Sequence, residues 1–433
     1  MFKDLKDFPS NSILRYDICI AGTGPAGISV AKQLLGTDLK IAILESGGLE
    51  PEPEYQELNE GINSGPSYLS LDSSRLRCFG GAGKLWAGHC APFKSDDFDK
   101  KSYVPLSGWP ISLDDLKVYY KQAAKMLGIS YEKFFNKDLL GKTFKEKSFN
   151  EINRDDSFLS ANVKQVSNVD NRDFAEKYRN DFQSSVNTHV IFHSTVTKLN
   201  FSKNNKNVES ISIADLNNNL GTIKAKIFVL ACGALENPRI LLTSKKFHKK
   251  KTYIDSNLVG SCFMSHPGIT EVAEIHKSTA EKCITKNDSD NTVKISFEVN
   301  SRERMKQKIL RHSISVEPSA DLLDKSTYTS GRIFSRFKKL FEDFNLFSSF
   351  KKIICSVRDA EYSSNTWNLN VGLEQPPRLT NNLKLHNTKD ALGVSKINIF
   401  WDDLSKIEKD TVVKSVKTMA RELGLLGTGK IKF

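Results

Sequence analysis

The 433-residue sequence has no run of about 18 or more apolar residues, which excludes a membrane-spanning helix as its organising element. Its seven cysteines (Cys19, Cys78, Cys90, Cys232, Cys262, Cys283 and Cys355) are odd in number and include no Cys-x-x-Cys pair, so neither a disulfide framework nor a zinc site is indicated. The opening MFKDLKDFPSNSILRYDICIAG places charge and proline where a signal peptide needs an apolar stretch, and the chain reads as cytoplasmic. Internal repeats and low-complexity linkers are absent. Of eight histidines only His189 and His193 stand four apart, with no third ligand in the pattern, so no metal is expected. The charge is unbalanced, 63 Lys and Arg against 51 Asp and Glu, giving +12. No aromatic-plus-basic recognition module accompanies that excess, and lysines mixed with asparagine at Ser202–Asn207 or clustered at Lys245–Lys251 read as solvated face; nucleic acid is not an expected partner.

What is present is an alternation of strand-like and helix-like stretches long enough for two packed regions. Tyr16–Ala21 reads as a buried strand, Pro25–Leu35 as a helix with proline in its first turn, and Lys40–Leu44 as a second strand, together one βαβ unit. Ser112 with Asp115 resembles a capping box for a helix that ends at Gly128. Strand patterns return at 189–192, 195–201, 210–214 and 226–231, and longer alternating segments at 292–299 and 312–316 suggest an antiparallel sheet. The expected fold is α/β: a doubly wound, Rossmann-like nucleotide-binding domain (12–128 and 186–262), an insertion or lid (129–185), an antiparallel-sheet substrate domain (263–400), and a C-terminal helix (401–433) returning to the first domain.

The chemistry is concentrated in three glycine segments. Gly22, Gly24 and Gly27 stand in G-x-G-x-x-G spacing between strand and helix, where the first permits a tight turn, the second lets a pyrophosphate reach the backbone, and the third lets helix and strand pack. Glu45 ends the second strand 18 residues after Gly27, where a carboxylate accepts from a ribose diol and repels a 2′-phosphate, so the ligand is FAD or NAD rather than NADP. A second loop, RCFGGAGKLWAGH from Arg77 to His89, exposes backbone amides at Gly80, Gly81 and Gly83. A third segment, IFVLACGALENPR, breaks from strand to helix at Gly233. A plain dehydrogenase predicts neither of the last two, and a second G-x-G-x-x-G for a separate NAD(P)H domain does not follow.

The ordered set YDICIAGTGPAGISVAKQL, ILESGG, RCFGGAGKLWAGHCAPF, SGWPISLDDLKVYYKQA, IFVLACGALENPRILL, NLVGSCFMSHPG and EQPPRLTNNLKL, spread from about residue 16 to 385, resembles the glucose-methanol-choline (GMC) oxidoreductases. The likeness is closest to the branch with Trp in the second loop, which includes sugar dehydrogenases and pyranose oxidases. It implies FAD as cofactor, hydride transfer from a CH–OH group of an alcohol or sugar to the flavin, an electron acceptor it does not name, and an antiparallel sheet over the isoalloxazine. Carried over, Gly22, Gly24 and Gly27 hold the pyrophosphate and Glu45 the adenosine ribose; Gly80, Gly81, Trp86 and Gly88 line the flavin or its phosphates. Val196 contacts adenine through its backbone and Gly233 lies near the nucleotide.

Two departures qualify the resemblance. Leu85 stands where some relatives attach flavin through His, so a dissociable flavin is expected. Relatives close with a segment carrying the catalytic His, whereas this sequence ends in GTGKIKF, so the expectation is that no catalytic residue lies within it; a separate chain is one candidate supplier of the segment, and the sequence leaves that open. The alternative function is then a truncated or split flavin-binding protein without independent activity. His89 and His266 are loop histidines, a residue type used as a general base, but such residues more often bond locally. The apolar stripe Ile333, Phe334, Phe337, Leu340, Phe341, Phe344 and Phe347, set in a basic segment at 332–352, reads as a core-packing helix, with a membrane surface as its other reading.

Overall fold

The structure, a computed structural model, describes residues 1–65, 68–135, 157–204, 206–246, 258–277, 293–318, 366–426 and 429–432. Five short strands form a parallel sheet: β1 (Phe2–Asp4), β2 (Ile18–Ala21), β3 (Ile41–Leu44), β4 (Thr188–Phe192) and β5 (Ile227–Leu230), in the order β1-β4-β3-β2-β5. Every pair is parallel. Continuous apolar runs such as ICIA and IAIL suit this arrangement because both faces are covered, and all eight residues of β2 and β3 are buried. Helix α1 (Pro25–Leu34) follows β2, with Pro25 pre-set for the first turn and Gly27, Ile28 and Ala31 buried. A four-stranded sheet (12–15, 220–224, 208–214 and 195–201) shares the core of Leu5, Leu199, Ile211, Ile213 and Ile223.

The chain divides into two compact units, Met1–Ala87 with Val169–Phe263 and Arg378–Asp403, and Gly88–Asn168 with Met264–Pro377 and Leu404–Phe433. The second unit is built on a seven-stranded sheet in which 268–277, 366–373, 312–318, 293–299 and 159–166 are successive antiparallel neighbours. Helix α2 (Lys406–Leu426) lays Val416, Met419 and Leu423 against Ile275, Phe297, Leu369 and Val371 of that sheet.

This division departs from the expected boundaries in three places. Residues 378–403 belong to the first unit because Asn382–Lys389 and Ser395–Phe400 form a small sheet with Gly61–Asn63 there. The region 129–185 is not one insertion: Leu159–Val166 is an interior strand of the seven-stranded sheet, and Phe174–Ser184 is a helix of the first unit, capped by the Asp173 side chain. Finally, α2 completes the core of the second unit instead of returning to the first, because its apolar face meets the sheet there. Gly429–Lys432 adds an edge strand to the same sheet. The phenylalanine stripe at 332–352 lies outside the described residues. Among the described residues no helix is long and apolar enough to cross a membrane.

A buried histidine makes the second unit acid-sensitive. His312 accepts from the Val299 amide at Nε2 (3.1 Å) and donates from Nδ1 to the Leu310 carbonyl (3.0 Å), so the neutral ring fits its site and burial pushes its pKa from 6.5 down to about 4. A lowered folded pKa contributes stability that is complete above pH 6.5 and is lost as pH falls through about 4. The unfolding free energy from urea titrations should therefore drop across that window, by roughly 3 kcal/mol from this group, and His312→Gln should show a shallower fall. An identical slope in the variant would contradict the assignment.

Candidate dinucleotide site

The chain leaves β2 through α1 to β3 on one side, while β5 pairs on the other, so the carboxyl end of β2 is a topological switch point, where open parallel sheets place their ligands. Gly22 turns there at φ +102°, and a Cβ on it would lie 2.6 Å from the Ala231 carbonyl oxygen. A Cβ on Gly27 would lie 1.9 Å from the Gly22 oxygen. These two glycines are demanded by packing. Gly24 is different: its φ of −63° suits any residue, and a Cβ there would meet nothing within 4 Å. The space in front of its backbone, at a helix N-terminus without a side-chain cap, is the cradle a pyrophosphate requires.

The second glycine loop packs directly on the first. A Cβ on Gly81 would come within 3.2 Å of the Gly24 Cα, and one on Gly83 within 2.9 Å of the Pro25 ring. Thr23 ties the loops together: its hydroxyl donates to Glu45 Oε2 and accepts from the Gly80 amide at 3.3 Å. Glu45 Oε2 also accepts from the Thr23 amide and Oε1 from the Gly47 amide, each at 3.2 Å. Burial raises the pKa of this carboxyl, opposed by those hydrogen bonds and by the Arg77 charge. A carboxylate has about four acceptor positions. Thr23 and Gly47 occupy three, so Glu45 braces the site and keeps capacity for one ligand hydroxyl.

The remaining sequence-predicted residues fall as follows. Gly233, at φ +85°, ends the strand segment beside Gly22 and also has open space at its Cβ. Trp86 is half-buried and donates from its indole nitrogen to the Arg172 carbonyl at 3.3 Å. Val196 packs its side chain into the core of the first unit, at the start of a strand whose Thr195 hydroxyl lies 2.7 Å from that of Ser46. Gly88, at φ +77°, belongs to the second unit, where its carbonyl accepts from Ser167. His89 and His266 are both exposed. His193 is bonded at both ring nitrogens to carboxylates, Asp4 at 2.6 Å and Glu52 at 2.9 Å. Among the described residues no group of three His, Cys, Asp or Glu could hold a metal.

Sequence reasoning passed over the ion cluster behind the loops. Glu236 is bonded to Arg75 at 2.8 Å, Arg77 at 3.2 Å and Arg239 at 3.0 Å, and Arg239 also to Asp390 at 2.6 Å. Arg77 reaches the Ser46 hydroxyl at 2.9 Å, linking the cluster to the loop after Glu45. The signal was in view, since Glu236 and Arg239 lie in GALENPR and Arg77 opens the second glycine segment.

Fold and site together show a parallel sheet carrying glycine loops of the dinucleotide-binding kind, with a separate antiparallel-sheet unit. Residues 78–268 match the family model of the GMC oxidoreductases. Over that span, somewhat under half of its length, the chain is similar to that family. A 2-methyl-1,2-propanediol dehydrogenase of Mycolicibacterium austroafricanum is 28% identical over 135 residues; the match covers 26% of this chain and only 24% of the relative. A formate oxidase structure is similar in fold, with a TM-score of 0.50 and 13% identity over 98% of this chain and 84% of that one. Pyridoxine 4-oxidase from Mesorbium loti gives 0.48 and 13% over 94% and 81%.

Proposed function

We propose that the chain binds FAD at the two glycine loops and serves the oxidation of a CH–OH group of a small alcohol, diol or sugar. The observation that carries this reading is the meeting of the Gly24 and Gly81 backbones at the switch point, with open space left at Gly24. The α1 N-terminus and the Gly24 backbone hold the pyrophosphate, and Glu45, already braced by Thr23 and Gly47, takes one ribose hydroxyl. Gly80, Gly81 and Trp86 line the flavin or its phosphates, the Val196 backbone meets adenine, and Gly233 keeps its strand end clear for the nucleotide. Bound FAD supplies a two-electron acceptor for hydride. Leu85 offers no atom for covalent attachment, so the flavin is dissociable. A diol or simple alcohol is the natural first substrate class, because the curated relative acts on a diol.

Anaerobic mixing of the FAD-loaded protein with diols, primary alcohols and sugars tests the activity. At least one of them should bleach the flavin absorbance. Stable FAD binding with no bleaching by any would overturn the oxidative role and leave a flavin-binding chain without activity of its own. If bleaching occurs, His89 and His266 are the first proton acceptors to replace.

A further inference from the structure

FAD carries two negative charges on its pyrophosphate, and the two glycine loops, 22–27 and 77–88, contain only two cations with which to meet them, Arg77 and Lys84. Arg77 is committed elsewhere: its guanidinium is bonded to Asn59 Oδ1 at 2.8 Å, the Ser46 hydroxyl at 2.9 Å and Glu236 at 3.2 Å, and the residue is buried. Lys84 is placed otherwise. It ends the short 3-10 turn Gly81–Lys84, whose Gly81 and Gly83 rest against Gly24 and Pro25. Its stem folds back over Gly80, with Cε 3.5 Å from where a Gly80 Cβ would be, and its side chain is only 16% exposed. Its ammonium has Glu50 as ion-pair partner at 3.2 Å, a carboxylate whose side chain is 63% exposed.

We propose that Lys84 is a pyrophosphate-binding residue of the dinucleotide site and that Glu50 is its exchangeable counter-ion. The inference rests on the FAD reading above and adds to it a charged ligand contact that the family resemblance does not supply. The stem is held by packing over Gly80, in the same short turn whose Gly81 and Gly83 rest against Gly24 and Pro25. Glu50 is held mainly by this one solvated ion pair, an interaction of small net strength, and can swing into water when a doubly charged phosphate group arrives. A phosphate contact of this kind is charge-assisted and sensitive to salt.

Opposite effects on FAD affinity separate this role from a structural one. Flavin fluorescence titrations at low salt should show Lys84→Met binding FAD about tenfold more weakly than wild type, with a flatter dependence on salt. Lys84→Arg should restore most of the affinity. Glu50→Gln should bind FAD more tightly, by roughly two- to fivefold, because the competing carboxylate is gone. Riboflavin, which has no pyrophosphate, should bind all four proteins equally. Wild-type affinity in Lys84→Met, or a loss of affinity in Glu50→Gln parallel to that in Lys84→Met, would overturn the assignment. A wild-type protein that binds no FAD would instead overturn the function proposed above, so the two failures are distinguishable.

Discussion

Valine at position 24 is expected to leave the chain folded and to abolish FAD binding, while valine at position 27 is expected to prevent folding. The contrast comes from geometry within one motif. The Gly24 backbone is unstrained and its Cβ position is empty, so the larger side chain meets only the space a pyrophosphate would fill. The bound phosphate would then be held off the helix N-terminus, and a loss of about a thousandfold or more in affinity is expected, roughly 4 kcal/mol. At Gly27 the added Cβ collides with the Gly22 carbonyl at 1.9 Å, and neither backbone has room to give because Gly22 is itself pressed against Ala231. Thermal melts and FAD titrations of the two variants check this. A Gly24→Val protein that binds FAD normally would show that the space serves something else.

Glu236→Gln is expected to cost about 3 to 5 kcal/mol of stability, the range for breaking a buried ion pair by removing one partner. The carboxylate sits among three guanidiniums, and its side chain is 11% exposed. Burial alone would raise its pKa, but Arg77, Arg239 and Arg75 outweigh that and hold it at about 2. Since the folded value lies below the ordinary 4.5, the stabilisation is complete above about pH 4.5 and is lost as pH falls through about 2. At neutral pH the substitution therefore removes all of it. Arg239 also donates to the Ser395 carbonyl and Arg77 to Ser46, so the small sheet containing Ser395 and the loop after Glu45 should both loosen. Urea unfolding at pH 7 is the check, and a loss below about 1 kcal/mol would show that the guanidiniums find other partners.

Local order was legible in the sequence because it is written locally. The βαβ unit, the proline start of α1, the Ser112 capping box and the left-handed Gly128 stop all depend on residues within a few positions of one another, and each is present. What was not legible depends on partners far away in the chain. Gly61–Asn63 pairs with a strand more than 300 residues later, so periodicity gave no reason to place 378–403 in the first unit. The polar LSANVKQV forms an interior strand because residues 293–299 hydrogen-bond it, and its own composition says little. The same limit applied at the site. Glycine spacing exposed the loops, but Thr23, the unspecified position between Gly22 and Gly24, proved to be the residue joining Glu45 to the second loop. The interactions that make it matter span 22 residues to Glu45 and 57 to Gly80.

The central claim is that two glycine loops meeting at the end of β2 form a dissociable FAD site. Its most direct test is to purify the full chain, reconstitute it with an equal mixture of FAD, FMN and NAD, remove free ligand, denature, and identify what is released. Release of FAD at close to one per chain, and none from Gly24→Val, is the predicted result. Release of NAD, of FMN alone, or of no nucleotide from folded wild-type protein would contradict it.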